Sequence, residues 1–187
     1  MTVEKTAVAA VAGLMALAAR TAPKGRGQDT ILVRVLTTTE IKKLSRAMTK
    51  YGETHENAGF FLRDAKNIAA SDSCVIIGAA GKQATGINCG ACGYASCAAF
   101  TKAAHGPVAK KSKTPFAGPN CAVRMADLGI ALGSAVKTAQ IHNVDNRIMY
   151  SAGSVALDLG FAGKDCTVAY AIPLSASGKN IFFDRTT

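Results

Sequence analysis

The chain has 187 residues, of which 49% are apolar, and a mean hydropathy of +0.17, so it can build a substantial core and is not a disordered polymer. Lysine and arginine outnumber aspartate and glutamate 22 to 12, and the net charge of +10 suits anionic partners such as acidic redox proteins, phosphorylated cofactors or nucleic acid. Nucleic acid is disfavoured, because Lys110, Lys111 and Lys113 have only Phe116 as a nearby aromatic platform.

A first helix is predicted from about Thr2 to Arg20, with Val8, Val11, Met15 and Ala19 on one face. Its apolar run, Ala7 to Ala19, superficially resembles a signal peptide but is shorter than the ~20 residues a membrane span needs. Glu4 dilutes the positive start, and the free thiols further along suit a reducing compartment, so the expectation is a cytoplasmic protein with no membrane segment. Pro23 and Gly25 end the helix in a basic, glycine-rich loop. Ile31 to Leu36 reads as a strand. Thr37 and Glu40 have capping-box spacing and predict a helix that ends near Gly52. A further helix is expected over about Glu56–Asn67, then a buried strand at Cys74–Ile77.

Next come Cys89, Cys92 and Cys97, an unpatterned Pro/Gly/Lys loop over Gly106–Pro119, and Cys121. The spacing is C-x2-C-x4-C followed by 23 residues and a fourth cysteine. Three thiols on one short turn-and-helix segment, closed by a distant fourth, suit a [4Fe–4S] cluster. Gly90, Ala91, Gly93, Ala95, Ser96, Ala98 and Ala99 leave room for a cube and let backbone N–H groups approach its sulphides. Structural zinc more often takes paired C-x2-C motifs or two Cys with two His; zinc and a redox disulfide stay open as alternatives. Cys74 and Cys166 lie in apolar runs and read as core.

A long helix is expected from Cys121 to about His142. Its small-residue face, Gly129 and Gly133 with Ala126, Ala131 and Ala135, suits close approach of another helix or, less commonly, a flat ligand. A polar turn at Asn143–Arg147, a helix ending at Gly160, a strand over Asp165–Ile172 and a tail from Pro173 to Asn180 complete the chain. The order points to an α+β sandwich around a mixed sheet, one domain spanning 1–187 with the cysteine segment, 88–121, inserted in it. His55, His105 and His142 are isolated in sequence, and no acid–base or nucleophilic motif is present.

The run from Asn88 to Cys97 with the later Cys121 resembles the four-cysteine iron–sulphur domain of several anaerobic redox proteins. With Ala19–Lys24, Asp127–Ala131 and Ile172–Asn180, nearly the whole chain resembles a prokaryotic family of uncharacterised ferredoxin-domain proteins. The element order, the Ala-Pro turn after the first helix and Leu159-Gly160 before the last strand also resemble the flavin-dependent nitroreductases. That second resemblance implies an FMN-binding homodimer with the flavin at the subunit interface. Pro23 and Lys24 would then be the turn that reaches the flavin from the partner chain, and Lys179 and Arg185 the basic C-terminal residues that hold the FMN phosphate. The sequence departs from that pattern at Thr2-Val3-Glu4-Lys5, where nitroreductases usually carry arginines. The expected function is an iron–sulphur oxidoreductase passing electrons between a [4Fe–4S] cluster and FMN. The alternative is a ferredoxin-like carrier without flavin, docking an acidic partner through Lys110–Lys113.

Overall fold

Described in a computed structural model, residues 2–106 and 114–183 form three layers: helices, a four-stranded sheet, helices. Helix α1 (Val3–Thr21) opens at Thr2, whose hydroxyl accepts the Lys5 N–H, and buries Val8, Val11, Met15 and Ala19 as the spacing predicts. Strand β1 (Ile31–Val35) leads into α2 (Thr38–Thr54) through the expected capping box. The Thr37 hydroxyl accepts the Glu40 N–H at 3.3 Å, and the Glu40 carboxylate accepts the Thr37 N–H at 2.9 Å. Helix α3 (Gly59–Ala70) begins three residues later than expected, because Asn57 adopts a left-handed φ of 58° that breaks the chain after α2.

Strand β2 (Ser73–Ala79) is buried along its whole length and pairs with β1 on one side. After the cysteine segment come α4 (Cys97–Ala104), α5 (Ala122–Ile141), the short β3 (Asp145–Asn146), α6 (Tyr150–Asp158) and β4 (Val168–Ser175). The strand order is β1-β2-β4-β3. The α+β class is the one expected, but the sheet is antiparallel in all three pairings rather than mixed. Two helices, α2 and α3, separate β1 from β2, so the chain comes back reversed; a single crossover helix would have returned it parallel.

Two expectations are corrected at the sheet edge. Pro173, Leu174 and Ser175 belong to β4, not to a tail, and Asp145–Asn146 is a strand rather than part of a turn. Proline disfavours a strand because it lacks an N–H, but β3 pairs only Leu174 and Ser175, so Pro173 has no partner on that side.

Side chains alternate across β2 into two cores. Val75, Ile77 and Ala79 face α1 and α5; Cys74 and Ile76 face α2, α3 and α6. Gly153 on α6 permits the closest helix–sheet approach, since a Cβ there would lie 2.1 Å from the Ala169 carbonyl oxygen. Among the described residues no helix is long and apolar enough to cross a membrane.

Candidate metal centre

The cysteine segment hangs from the end of β2 and returns at the head of α5, and one knot ties the two ends. The Cys121 N–H donates to the Gly81 carbonyl at 2.8 Å. The Gly81 N–H donates to the Thr167 hydroxyl at 3.0 Å, and that hydroxyl donates to Asn120 Oδ1 at 2.5 Å. Only glycine fits at 81, because a Cβ there would meet Asn120 Oδ1 at 2.0 Å. The distant cysteine is thereby fixed beside the loop that carries the other three.

Each thiol has a distinct setting. Cys121 is buried as the N-cap of α5, with the Thr85 hydroxyl 3.3 Å from its sulphur. Burial alone would push its thiol pKa up. Hydrogen bonds from the Thr85 hydroxyl and from backbone groups of Arg124, Thr85 and Val123 outweigh that and hold it below the ordinary value. Cys97 is the first residue of α4, and its sulphur accepts the Asn88 N–H at 3.4 Å. Its own N–H donates to Asn88 Oδ1 at 2.8 Å, and the Ser96 hydroxyl caps the helix by accepting the Ala99 N–H. Cys92 is half-buried and packs with Cys121, Phe100, Ala104 and Tyr94 in a small apolar cluster. Cys89 is exposed.

Left-handed backbone recurs through this loop, at Gly86, Asn88, Gly90 and Gly93. Such conformations turn successive N–H groups into a concavity that favours anions, including iron–sulphur clusters. The donor set fits a thiolate-held cluster: four cysteines, two at helix N-termini, with hydrogen bonds aimed at sulphur. Among the described residues no three His, Cys, Asp or Glu side chains form a group that could hold a metal ion. Cys74 and Cys166 stand apart, their thiols pushed up by burial to about 12 and about 11, consistent with roles in packing.

Beside Cys121 lies a feature that sequence reasoning missed. Arg124, 1% exposed, pairs with Asp127 at 3.1 Å across one turn of α5. Its guanidinium also donates to the carbonyls of Gly25, Gln28 and Gln83 and to the Gln28 side chain, while Asp127 accepts the Gly25 N–H at 2.8 Å. The pair thus staples the glycine-rich loop after α1 to the helix that starts at Cys121. The available signal was a charged i, i+3 pair in positions that the helical period assigns to the buried face.

The residues expected to contact flavin are spread out. Pro23 is exposed. The Lys24 ammonium turns back onto the Arg20 carbonyl, the Ala19 carbonyl at 3.4 Å and Asp29 at 3.8 Å. Lys179 is exposed beside Ser177 and Gly178, which share a cavity with Thr2 and Lys5 at the other end of α1, roughly 28 Å along a 19-residue helix. Within one chain Lys24 and Lys179 do not meet. Arg185 and the Lys110–Lys113 loop lie outside the described residues.

Of the small residues on α5, Ala131 and Ala135 pack in the core shared with α1, as expected of helix packing, whereas Gly129 and Gly133 lie on the exposed side. A Cβ at Gly129 or Gly133 would meet nothing within 4 Å among the described residues, so no described helix approaches there. Ile130 on that face is 45% exposed, and on the outer side of neighbouring α1 so are Leu14 (42%) and Leu17 (58%).

Residues 117–185 match the model of a family described as "Uncharacterized protein containing a ferredoxin domain", and residues 86–110 match a model for an Fe-S cluster segment. An uncharacterized protein of Archaeoglobus fulgidus is 44% identical over 172 residues, spanning 92% of this chain and 88% of the relative. The chain belongs to this ferredoxin-domain family. Its fold is that of the nitroreductases. A nitroreductase with bound FMN from Desulfitobacterium hafniense superposes with a TM-score of 0.58 at 12% identity, over 91% of this chain and 78% of that one. A BluB-like flavoprotein from Clostridium difficile 630 gives a TM-score of 0.58 at 13% identity, over 95% and 84%. An iron–sulphur redox role follows at the level of the family.

Proposed function

We propose that this is a cytoplasmic iron–sulphur electron-transfer protein in which Cys89, Cys92, Cys97 and Cys121 hold a [4Fe–4S] cluster. The observation that carries the reading is the 2.8 Å hydrogen bond from the Cys121 N–H to Gly81, which closes the fourth thiol onto the loop bearing the other three. When bound, such a cluster supplies single-electron transfer. The chain's part is to bury the Cys121 side against Phe100 and Ala104, excluding water there, and to leave the Cys89 side at the surface, where a redox partner can approach. No Asp or Glu occurs between Asp72 and Asp127, so the whole cysteine segment offers only positive charge, which favours an acidic partner.

The finer reading is an oxidoreductase that exchanges those electrons with FMN held between two copies of the chain. The fold of an FMN-bearing nitroreductase favours it, and so do the open Gly129–Gly133 face of α5 and exposed Leu14 and Leu17 on α1. A second copy seated there could bring Lys24 of one chain towards the Lys179 end of the other. FMN would supply the interconversion of one- and two-electron chemistry. The competing reading, a ferredoxin-like carrier without flavin, is favoured by the inward engagement of Lys24.

A reductive titration of anaerobically purified protein separates the two. Uptake of about three electrons per chain, with flavin released on denaturation, supports the enzyme; about one electron and no flavin supports the carrier. No electron uptake contradicts both.

A further inference from the structure

We infer that Thr85 sets the reduction potential of the cluster by donating its hydroxyl hydrogen to Cys121, an inference that rests on the iron–sulphur reading above. Thr85 is 2% exposed, although the residues that follow it, Gly86 to Ala91, are all exposed. A buried hydroxyl in an otherwise exposed loop needs a partner, and the atom it faces is Cys121 Sγ at 3.3 Å. The residue is also held by its backbone, whose carbonyl accepts Arg26 Nη1 at 3.3 Å. Arg26 sits in the loop that Arg124 and Asp127 staple to α5, so the Thr85 backbone is tied to the same stapled loop.

A thiol and a hydroxyl can each donate, but a ligand thiolate has no proton to give. With a cluster bound the direction is settled: Thr85 donates and Cys121 accepts. A hydrogen bond onto a ligand sulphur withdraws charge from it and favours the more negative, reduced cluster, which raises the potential. Cys121 is the buried corner, where low local polarity strengthens that interaction. Cys89, by contrast, is exposed and has no hydrogen-bond partner on its sulphur among the described residues. The four ligands are therefore unequal, and Thr85 is a positioning and tuning residue rather than a ligand.

The test is a redox titration of the full chain followed by electron paramagnetic resonance, on the wild type and on Thr85→Val and Thr85→Ser. Valine keeps the branched shape and removes the hydroxyl; serine keeps the hydroxyl. The expected result is an equal iron load in all three, with the Thr85→Val midpoint lowered. At fixed ambient potential its ratio of reduced to oxidised cluster falls about tenfold, about 59 mV for a one-electron couple, and Thr85→Ser recovers most of the shift. A fully loaded Thr85→Val with the wild-type midpoint overturns the inference and leaves the iron–sulphur reading standing. A wild-type protein that binds no iron overturns both. Should Thr85→Val not load, the wild type and Thr85→Ser decide: a fast-exchanging proton coupled to the reduced cluster, lost in D2O, supports the inference, and its absence in both overturns it.

Discussion

Arg124 and Asp127 form an ion pair at 3.1 Å, one turn apart on α5, with side chains 1% and 4% exposed. Two charges removed from water this completely survive only because nearly every polar atom is used: Asp127 takes the Gly25 N–H, and the guanidinium reaches the carbonyls of Gly25, Gln28 and Gln83. The pair joins the turn after α1 to the helix that begins at Cys121, and the Arg124 backbone itself hydrogen-bonds the Cys121 thiol.

Removing one member leaves a buried charge without its partner. Arg124→Met or Asp127→Asn should each destabilise the metal-free chain by about 3–5 kcal/mol in denaturant unfolding. The double variant Arg124→Met/Asp127→Asn should cost less than the sum of the two single changes, because no lone charge remains. Additive losses would show that the two residues do not act as a pair.

Glycine at 153 and glycine at 133 should respond in opposite ways to alanine. Gly153→Ala drives a Cβ to 2.1 Å from the Ala169 carbonyl and should cost about 1–3 kcal/mol or more, since α6 cannot back away from β4 without opening the core. Gly133→Ala meets nothing within 4 Å in the single chain and should stabilise α5 by up to about 1 kcal/mol. Thermal unfolding at low protein concentration, where copies are apart, checks both.

The α1–α5 face makes a separate prediction. Leu17→Glu places a charge on the exposed side of α1, the helix packed against α5. Sedimentation of the wild type should give a dimer, and Leu17→Glu should shift it to monomer with an unchanged circular dichroism spectrum. A wild-type monomer at the highest accessible concentration would remove the homodimer from the account.

Acid should weaken the start of α2. The Thr37 backbone N–H, the Thr37 hydroxyl and the Arg34 and Lys43 charges hold the Glu40 carboxyl below its ordinary range, against a smaller opposing effect of burial. Because the folded value is depressed, the stabilisation is complete above the unfolded glutamate pKa, about 4.3, and is lost as the pH falls through the folded value. Glu40→Gln should lose stability at neutral pH and show a shallower decline below about pH 4.3 than the wild type. Parallel acid limbs for the two proteins would contradict this.

The sequence was legible where one local rule decided the outcome. The Thr37–Glu40 box, the buried stripe of α1 and the unbroken apolar run of β2 each follow from spacing alone. Pro173 was misread because its tolerance depends on how far β3 extends along β4, a long-range property. The i, i+3 spacing of Arg124 and Asp127 was legible, but the staple they form was not, since its partners at Gly25, Gln28 and Gln83 lie about 40 to 100 residues away in sequence. At the candidate site, the four cysteines were evident from spacing. Their inequality was not, because it arises from Thr85 and from the two helix N-termini that only the fold supplies.

The central claim is that four thiols of one chain hold an iron–sulphur cube. The most direct measurement counts iron, acid-labile sulphide and zinc in one anaerobically purified sample, alongside the same counts for Cys121→Ser. The account predicts about four irons and four sulphides per wild-type chain and a marked loss of both in the variant. A zinc-loaded protein without sulphide, or a Cys121→Ser variant with a full and equally stable cluster, would contradict it.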